Sequence, residues 1–151
     1  MNIMQESDSI VIIPTYNEME NIEKIIRAVL GLEKNFHILV IDDNSPDKTG
    51  DEVERLIKTE FGGRLFIVHR SGKLGLGTAY IQGFKWALEH GYDYIFEMDA
   101  DFSHDPNDLP RLYSACHDEG YDAAIGSRYV SGVNVVNWPL GRVPTSYFAS
   151  Q

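Results

Sequence analysis

The sequence predicts an α/β protein in which helices cover both faces of a mostly parallel β-sheet. Short apolar segments alternate with segments whose apolar residues recur at helical spacing, an order typical of repeated strand–helix–strand units. Three of the strand-like segments are rich in Ile and Val and apolar on both faces, as buried parallel strands are. The length of 151 residues suits one domain with a sizeable core.

Five segments have the composition of strands: residues 9–13, 37–41, 65–68, 94–98 and 122–125. The first, second and fourth are the ones that are apolar on both faces. A helical pattern lies between each strand and the next, so we expect crossover helices to join them. These connections favour a sheet with a layer of helices above it and another below it.

The helices are predicted from the spacing of their apolar residues. Asn17 and Glu20 form a predicted capping box before the first helix, and Thr49 with Glu52 is the cap pair of the second. Asp105 is the predicted N-cap of the fourth. The apolar stripes are Ile22, Ile25, Ile26, Val29 and Leu30; Val53, Leu56 and Ile57; Ile81, Phe84 and Leu88; and Leu109, Leu112 and Tyr113.

The alternating pattern ends near Val130. Ser131-Gly132 and the segments 137–139 and 143–144 favour loop structure. We predict a single domain over residues 1–151. Because no closing helix or strand precedes Gln151, the sequence suggests a fragment or a C-terminal deletion.

The composition excludes several classes of function. A net charge of −10, from 13 basic and 23 acidic residues, argues against sequence-independent nucleic-acid binding and against docking on an anionic membrane by charge. No run approaches the length of a transmembrane helix, and the start does not resemble a signal peptide, so a cytoplasmic location is expected. Cys116 is the single cysteine and is predicted to be a core residue.

Polar residues gather where the predicted strands end. Residues 14–18 follow the first strand, 42–45 the second, 99–101 the fourth and 126–128 the fifth. Ligands of open α/β sheets bind outside the carboxyl ends of the strands. Asp, Asn, Ser and Pro are also ordinary loop residues. That alternative does not explain carboxylates after three strands that should share one edge of the sheet.

Asp99 and Asp101 predict a metal site. Two carboxylates two residues apart, just past a buried strand, are costly neighbours unless a cation lies between them. A hard divalent cation prefers such oxygens, and a phosphate-bearing substrate could complete its shell. Asp101 is the better ligand because it lies further along the loop, while Asp99 could reach either the metal or ribose hydroxyls. Ser103 has an oxygen at the right interval to join them.

Other residues have the chemistry of a nucleotide site. Tyr16 offers a flat face to a base, and Glu18 and Asp43 can accept hydrogen bonds from the N–H groups of guanine or uracil. Arg128 could face a diphosphate or an acceptor, since arginine forks suit phosphate oxygens. The Gly-rich loop 72–77 lacks the Gly-Lys-Ser/Thr of a phosphate-binding Walker loop. It either lets the backbone approach a nucleotide, with Lys73 as a cation, or is a flexible helix start.

Five motifs together resemble a known family. They are Pro-Thr-Tyr-Asn-Glu at 14–18, Asp-Asp-Asn-Ser-Pro-Asp at 42–47, Leu-Gly-Leu-Gly-Thr-Ala-Tyr at 74–80, Met-Asp-Ala-Asp-Phe-Ser-His at 98–104 and Gly-Ser-Arg-Tyr at 126–129. The chain resembles the family 2 glycosyltransferases with the GT-A fold, a Rossmann-like α/β/α architecture. Within them it is similar to the dolichyl- and polyprenyl-phosphate mannosyltransferases.

This resemblance implies an enzyme that transfers mannose from GDP-mannose to a polyprenyl phosphate, with inversion and with Mg²⁺ or Mn²⁺. Its nucleotide site would lie at the C-terminal strand ends, and its acceptor would place the protein at a membrane surface. Asp99, Asp101 and Ser103 would hold the metal, and Asp101 and Arg128 would be catalytic. The residues that would hold the guanosine, ribose and diphosphate are Pro14, Tyr16, Glu18, Ile41, Asp43, Asp99, Ala100, Asp101 and Arg128.

Two alternatives are open at this stage, and a third is disfavoured by the sequence. A family 2 enzyme could use another donor, such as UDP-glucose or UDP-GlcNAc. The chain could be a non-catalytic nucleotide-binding module, because the resemblance implies a further basic and amphipathic acceptor segment that is missing after Arg142. An NAD-dependent enzyme requires a Gly-rich turn after the first strand, which residues 14–18 do not provide.

Overall fold

The computed structural model describes residues 6–72 and 74–118, and the backbone of residues 123–125 and 134–137. Within these residues the strands are β1 (Ser9–Thr15), β2 (His37–Asp42), β3 (Leu65–His69), β4 (Tyr94–Glu97), β5 (Ala123–Ile125) and β6 (Asn134–Asn137). The α-helices are α1 (Ile22–Leu30), α2 (Thr49–Leu56), α3 (Leu76–Glu89) and α4 (Asp108–His117). Helix α2 continues into a π-helical turn at Ile57–Phe61.

The strands form one mostly parallel sheet in the order β3-β2-β1-β4-β6-β5. Strand β1 lies between β2 and β4 and is parallel to both, and β3 extends the parallel part beyond β2. Because these strands run in one direction, the loops after β1, β2, β3 and β4 emerge at a single edge of the sheet. That shared edge is what the sequence predicted, and it brings the polar loop segments together.

The prediction for the end of the chain is wrong at strand β6. The sequence favoured loop structure beyond Val130, whereas β6 pairs antiparallel with both β4 and β5. It has only four residues, two of them Asn, and Asn is depleted in strands. Its formation depends on pairing with β4, about forty residues earlier, which no local pattern reveals.

Alternate residues of the strands pack into two cores, one on each face of the sheet. Val11 and Ile13 of β1 face the core formed with α1, α2 and α4. Ile10 and Ile12 face the core formed with α3. Cys116 is 1% exposed in the first of these cores, as predicted. Helices therefore cover both faces of the sheet and leave the ends of the strands accessible.

Helix α3 packs unusually close to the sheet. The residues of α3 that are buried are Ala79, Gly83 and Ala87, whereas Ile81 of the predicted stripe is 54% exposed. A Cβ atom on Gly83 would lie 2.7 Å from Cγ2 of Ile12, closer than packed carbon atoms approach. The small residues allow the helix backbone to lie against β1, and this fixes its position relative to the strand ends.

The polar residues predicted as helix caps have other partners. Asn21 precedes α1, while the side chain of Asn17 accepts a hydrogen bond from the N–H of Asp47 at 3.2 Å. Thr49 is the first residue of α2 and accepts from the N–H of Glu18 at 3.0 Å. Asp105 accepts from the N–H of Asn107 at 2.9 Å, one turn before α4 begins. The predicted caps of α1 and α2 instead join two neighbouring loops.

Across the part of the chain that the structure describes, no helix combines the length and the apolar character needed to cross a membrane.

Candidate active site

A cleft of about 300 Å³ opens at the carboxyl ends of β1, β2 and β4. Its walls come from the loops after these strands and from the start of α3. The residues that line it are Pro14, Thr15, Tyr16, Glu18, Asp43, Gly75, Leu76, Ala79, Asp99, Ala100 and Asp101. Most of the residues singled out in the sequence are therefore brought to one place, although they come from three separate strand ends.

Some of the predicted site residues lie elsewhere. Ile41 is fully buried in the core beneath α3 and does not line the cleft. Ser103 is exposed, and its N–H donates a hydrogen bond to Oδ1 of Asp101 at 3.0 Å. Lys73 and Arg128 lie outside the described residues, as does Arg142. The ligand-binding roles of all these residues are still predictions.

Negative charge is concentrated at the mouth of the cleft. Burial raises the pKa of Glu18, and the charge of Asp101 raises it further. The charges of Asp47 and Asp99 act in the same direction, against a hydrogen bond from Asn21. Hydrogen bonds from the hydroxyl and N–H of Ser103 lower the pKa of Asp101 and keep it ionised. Carboxylates that repel one another in this way are stabilised by a bound cation.

The loop that carries the acidic motif is held in an uncommon conformation. Phe102 follows Asp101 and has a φ of 62°, in the left-handed region that bulky side chains rarely occupy. The other described non-glycine residues with positive φ are Asn17, Asn44 and Lys48, which lie in the loops after β1 and β2. Such conformations cost about 1–3 kcal/mol each and are concentrated at functional sites.

An ion pair that the sequence analysis missed lies in the wall of the cleft. Nε and Nη2 of Arg70 donate to the two carboxylate oxygens of Asp43, at 2.6 and 2.9 Å. The two side chains are only 5% and 9% exposed. Arg70 also donates to the carbonyl of Gly75 at 3.2 Å and to Oγ1 of Thr78 at 3.0 Å. It therefore joins the end of β3 to the loop after β2 and to the start of α3.

This pairing changes what Asp43 can offer to a ligand. A carboxylate accepts about four hydrogen bonds, and Arg70 uses one on each oxygen. The signal that could have identified Arg70 is its position. It is a cation two residues past a predicted strand in a chain with a net charge of −10.

A network of short polar side chains shapes the loop that carries Tyr16 and Glu18. Asp42 is 2% exposed and accepts hydrogen bonds from the hydroxyls of Thr15 at 2.7 Å and Ser45 at 2.6 Å. Ser45 in turn accepts from the N–H of Asn17 at 3.0 Å. The loop after β1 is thus fastened to the loop after β2 immediately beside Tyr16.

A second set of bonds continues this network on the far side of Glu18. Oδ2 of Asp47 accepts from the N–H of Met19 at 3.1 Å, and Oδ1 accepts from the N–H of Thr49 at 3.0 Å. Although burial opposes it, hydrogen bonds from the hydroxyl of Thr49 and from the N–H groups of Met19 and Thr49 lower the pKa of Asp47. Glu18 lies between the two sets of bonds, so its backbone is fixed from both sides.

Glu97, near the carboxyl end of β4, should make the stability of the fold depend on pH. Burial and then the charge of Asp99 raise the pKa of Glu97 to about 7, from 4.5. The folded protein binds this proton more tightly than the unfolded chain. The stabilisation is therefore complete below pH 4.5 and is lost as the pH rises through 7. In metal-free buffer, Glu97→Gln should remove about 3 kcal/mol of the change in unfolding free energy between pH 4.5 and 8.

Urea unfolding at the two pH values measures this effect. Glu89→Gln, a change at an exposed carboxylate near the end of α3, is the matched control and should leave the pH dependence unchanged. Equal pH dependence in the wild type and in Glu97→Gln would show that Glu97 is not responsible.

A comparison with known families matches the model of glycosyl transferase family 2 to residues 10–150. A polyprenol monophosphomannose synthase of Mycolicibacterium smegmatis is 49% identical over 142 residues, which are 94% of this chain and 53% of that protein. An undecaprenyl-phosphate mannosyltransferase of Micrococcus luteus is 44% identical over 93% of this chain and 56% of its own length. The chain thus spans about half the length of these relatives.

Among solved structures, a mannosyltransferase from Pyrobaculum calidifontis in complex with GDP-Man and Mn²⁺ has a similar fold. Its TM-score is 0.69 at 20% sequence identity, and the match covers 86% of this chain and 44% of that one. At this level of identity the likeness concerns the fold.

Proposed function

We propose, from its membership of glycosyl transferase family 2 and its GT-A fold, that the chain is the donor-binding part of a mannosyltransferase. The donor would be GDP-mannose, and the acceptor of the mannose would be a polyprenyl phosphate. The two relatives named above support this sugar and this class of acceptor. The GDP-Man complex of the Pyrobaculum enzyme supports the donor. The observation that carries the proposal is the convergence of Glu18, Asp99 and Asp101 in one cleft.

The nucleoside would occupy the part of the cleft between the loops after β1 and β2. Tyr16, 37% exposed, would present its ring to the base. Glu18 and the remaining lone pairs of Asp43 would accept hydrogen bonds from guanine N–H groups, and Arg70 holds Asp43 in place for this. Pro14 and Ala100 would form the wall of the cleft, and Arg128 and Lys73 are proposed to lie near the diphosphate.

A divalent cation would be held by Asp101 and Asp99. In the described part of the chain no three His, Cys, Asp or Glu side chains lie close enough to hold a metal by themselves. This suits Mg²⁺ or Mn²⁺ bound together with a nucleotide, because Mg²⁺ usually takes one or two carboxylates and completes its shell with waters and phosphate oxygens. Ser103, whose N–H donates to Oδ1 of Asp101, would contribute an oxygen. When bound, the cation would neutralise the charge that develops on the leaving diphosphate.

The transfer itself would need little chemistry from side chains. A phosphate oxygen of the acceptor attacks the anomeric carbon of mannose from the face opposite GDP, and the bonding electrons of the broken C–O bond leave with GDP. A phosphate monoester is largely ionised at neutral pH, so no strong general base is required. Positioning and electrostatic stabilisation would account for most of the rate, and the geometry would invert the anomeric centre.

The rim of the cleft suits an acceptor that is carried by a membrane lipid. Leu76 at the cleft and Leu74 beside it are 58% and 56% exposed, and Met19 and Phe102 on the adjoining loops are 43% and 41% exposed. Exposed apolar side chains grouped at one rim are typical of contact with lipid or protein. We propose that the enzyme works at a membrane surface and meets the lipid phosphate at this rim.

A competition panel tests the proposed donor. GDP and GDP-mannose should compete for the cleft at least ten times better than UDP or CDP, and mannose should be transferred to a short polyprenyl phosphate. Tighter binding of UDP would favour a uridine-nucleotide donor such as UDP-glucose. Binding of GDP-mannose without transfer would favour a nucleotide-binding module without catalysis.

A further inference from the structure

Tyr80 makes a direct hydrogen bond to the acidic motif. It lies in the second turn of α3, and its hydroxyl donates to Oδ1 of Asp99 at 3.0 Å. The bond joins a helix on one face of the sheet to the loop after β4. Tyr80 itself does not line the cleft, whereas its neighbour Ala79 and its partner Asp99 do. The hydroxyl therefore acts on the cleft through Asp99.

The surroundings of Tyr80 favour the protonated hydroxyl, which is the form that donates to Asp99. Burial raises the pKa of its hydroxyl far above the ordinary value for tyrosine, and the charge of Asp99 raises it further. The charges of Glu97 and Asp101 act in the same direction. A tyrosine hydroxyl has one hydrogen to donate, and in this structure Oδ1 of Asp99 receives it.

The packing of α3 fixes where this hydroxyl lies. Gly83, three residues beyond Tyr80, allows the helix to approach Ile12 so closely that a Cβ would lie 2.7 Å from the Ile12 side chain. Ala79 and Ala87 are 1% and 0% exposed against the same core. The hydroxyl is thus presented to Asp99 by a rigid element rather than by a loop.

We propose that Tyr80 is a positioning residue, which holds Oδ1 of Asp99 and so fixes the direction in which Oδ2 is offered to the ligand. This inference rests on the proposed function, in which Asp99 contacts the ribose, the diphosphate or the cation. Asp99 interacts with the carboxylates of Glu97 and Glu18, and repulsion between these like charges disfavours leaving the carboxylate of Asp99 without a donor. The hydrogen bond offsets that repulsion on one oxygen and leaves the other available.

Tyr80→Phe removes the hydroxyl and keeps the ring. The matched control is Tyr113→Phe, because the hydroxyl of Tyr113 donates to Oδ2 of Asp8 at 2.7 Å. That pair has the same chemistry but lies at the start of β1, at the opposite end of the sheet. Thermal unfolding of both variants checks that each is folded.

The first readout needs no ligand. Three-bond NMR couplings to Cγ of Asp99 report its χ1 rotamer in the free protein. We expect a single rotamer in the wild type and in Tyr113→Phe, and averaging over rotamers in Tyr80→Phe. A single unchanged rotamer of Asp99 in Tyr80→Phe would overturn the inference.

The second readout is calorimetric titration with GDP, in Mn²⁺ and in EDTA. Tyr80→Phe should weaken GDP binding in Mn²⁺ about ten-fold, the effect of losing a hydrogen bond to a charged group. Tyr113→Phe should remain within two-fold of the wild type. If Tyr80→Phe and the wild type bound GDP equally well in Mn²⁺, the result would contradict the positioning role of Tyr80. If the wild type itself gains no affinity from Mn²⁺, the proposed function fails, while the rotamer measurement still decides the role of Tyr80.

Discussion

In the proposed mannosyltransferase, Asp101→Asn should lower the rate of mannose transfer at least about a thousand-fold, because it removes a charge that would hold the cation at the diphosphate. Asparagine has nearly the same shape, and the hydrogen bond from the N–H of Ser103 to Oδ1 can persist. The loss should therefore appear in kcat with little change in folding stability. Radiolabelled mannose transferred to a polyprenyl phosphate measures the rate, and urea unfolding measures the stability.

Asp51→Asn is the control for that experiment. Asp51 is an exposed carboxylate on α2, with only a 4.0 Å contact to Lys48, and it does not line the cleft. Its substitution makes the same change in net charge and should leave the transfer rate within two-fold. A rate for Asp101→Asn within ten-fold of the wild type would contradict the role assigned to Asp101.

Arg70→Met should destabilise the fold by about 3–5 kcal/mol, since it leaves the carboxylate of Asp43 buried without its partner. The side chain of Asp43 is only 9% exposed, and both of its oxygens are bonded to Arg70. Methionine fills much of the volume of arginine, so the loss of unfolding free energy comes mainly from the unpaired charge of Asp43 and less from a cavity. Urea unfolding at neutral pH gives the free energy, and GDP binding should weaken in the same variant.

A double variant separates the charge from the packing. Asp43→Asn combined with Arg70→Met removes both charges, so it should recover at least half of the lost stability while GDP binding stays weak. Arg27→Met, at an exposed arginine paired with Glu23 and Glu60, is the surface control and should have a much smaller effect on stability. If Arg70→Met cost less than about 1 kcal/mol, the pair would not have the structural role assigned to it.

The position of the cleft could be predicted because it follows from strand direction alone. Once β1, β2 and β4 are recognised as parallel, the residues after them must emerge at one edge. Tyr16, Glu18, Asp99 and Asp101 meet there as predicted. The strand patterns were strong because these strands are buried on both faces, so that nearly every residue in them is apolar.

The contacts inside the cleft could not be predicted in the same way. Arg70 and Asp43 are 27 residues apart and belong to neighbouring strand ends, and nothing in the local pattern of either segment requires the other. The fully buried position of Ile41 depends on how closely α3 lies against the sheet.

The polar residues of the loops were assigned wrongly for a related reason. Asn and Thr are residue types that often cap helices, but the side chains of Asn17 and Thr49 can also form hydrogen bonds with a neighbouring loop. The two loops lie close enough to compete: Asn17 accepts from Asp47 in the loop after β2, and Thr49 accepts from Glu18 in the loop after β1. A sequence shows which groups can form hydrogen bonds, whereas the tertiary structure selects their partners.

In the proposed site, carboxylates from separate strand ends hold one cation together with a nucleotide. Paramagnetic broadening by Mn²⁺ in the presence of GDP tests this arrangement most directly, because the effect falls steeply with distance from the ion. Amide signals of Tyr16 to Glu18 and of Asp99 to Ser103 should broaden together at low Mn²⁺. Those of Asp8 and Lys34, which pair at the other end of the sheet, should stay sharp. Broadening of only one of the two loops, or of neither, would contradict the account.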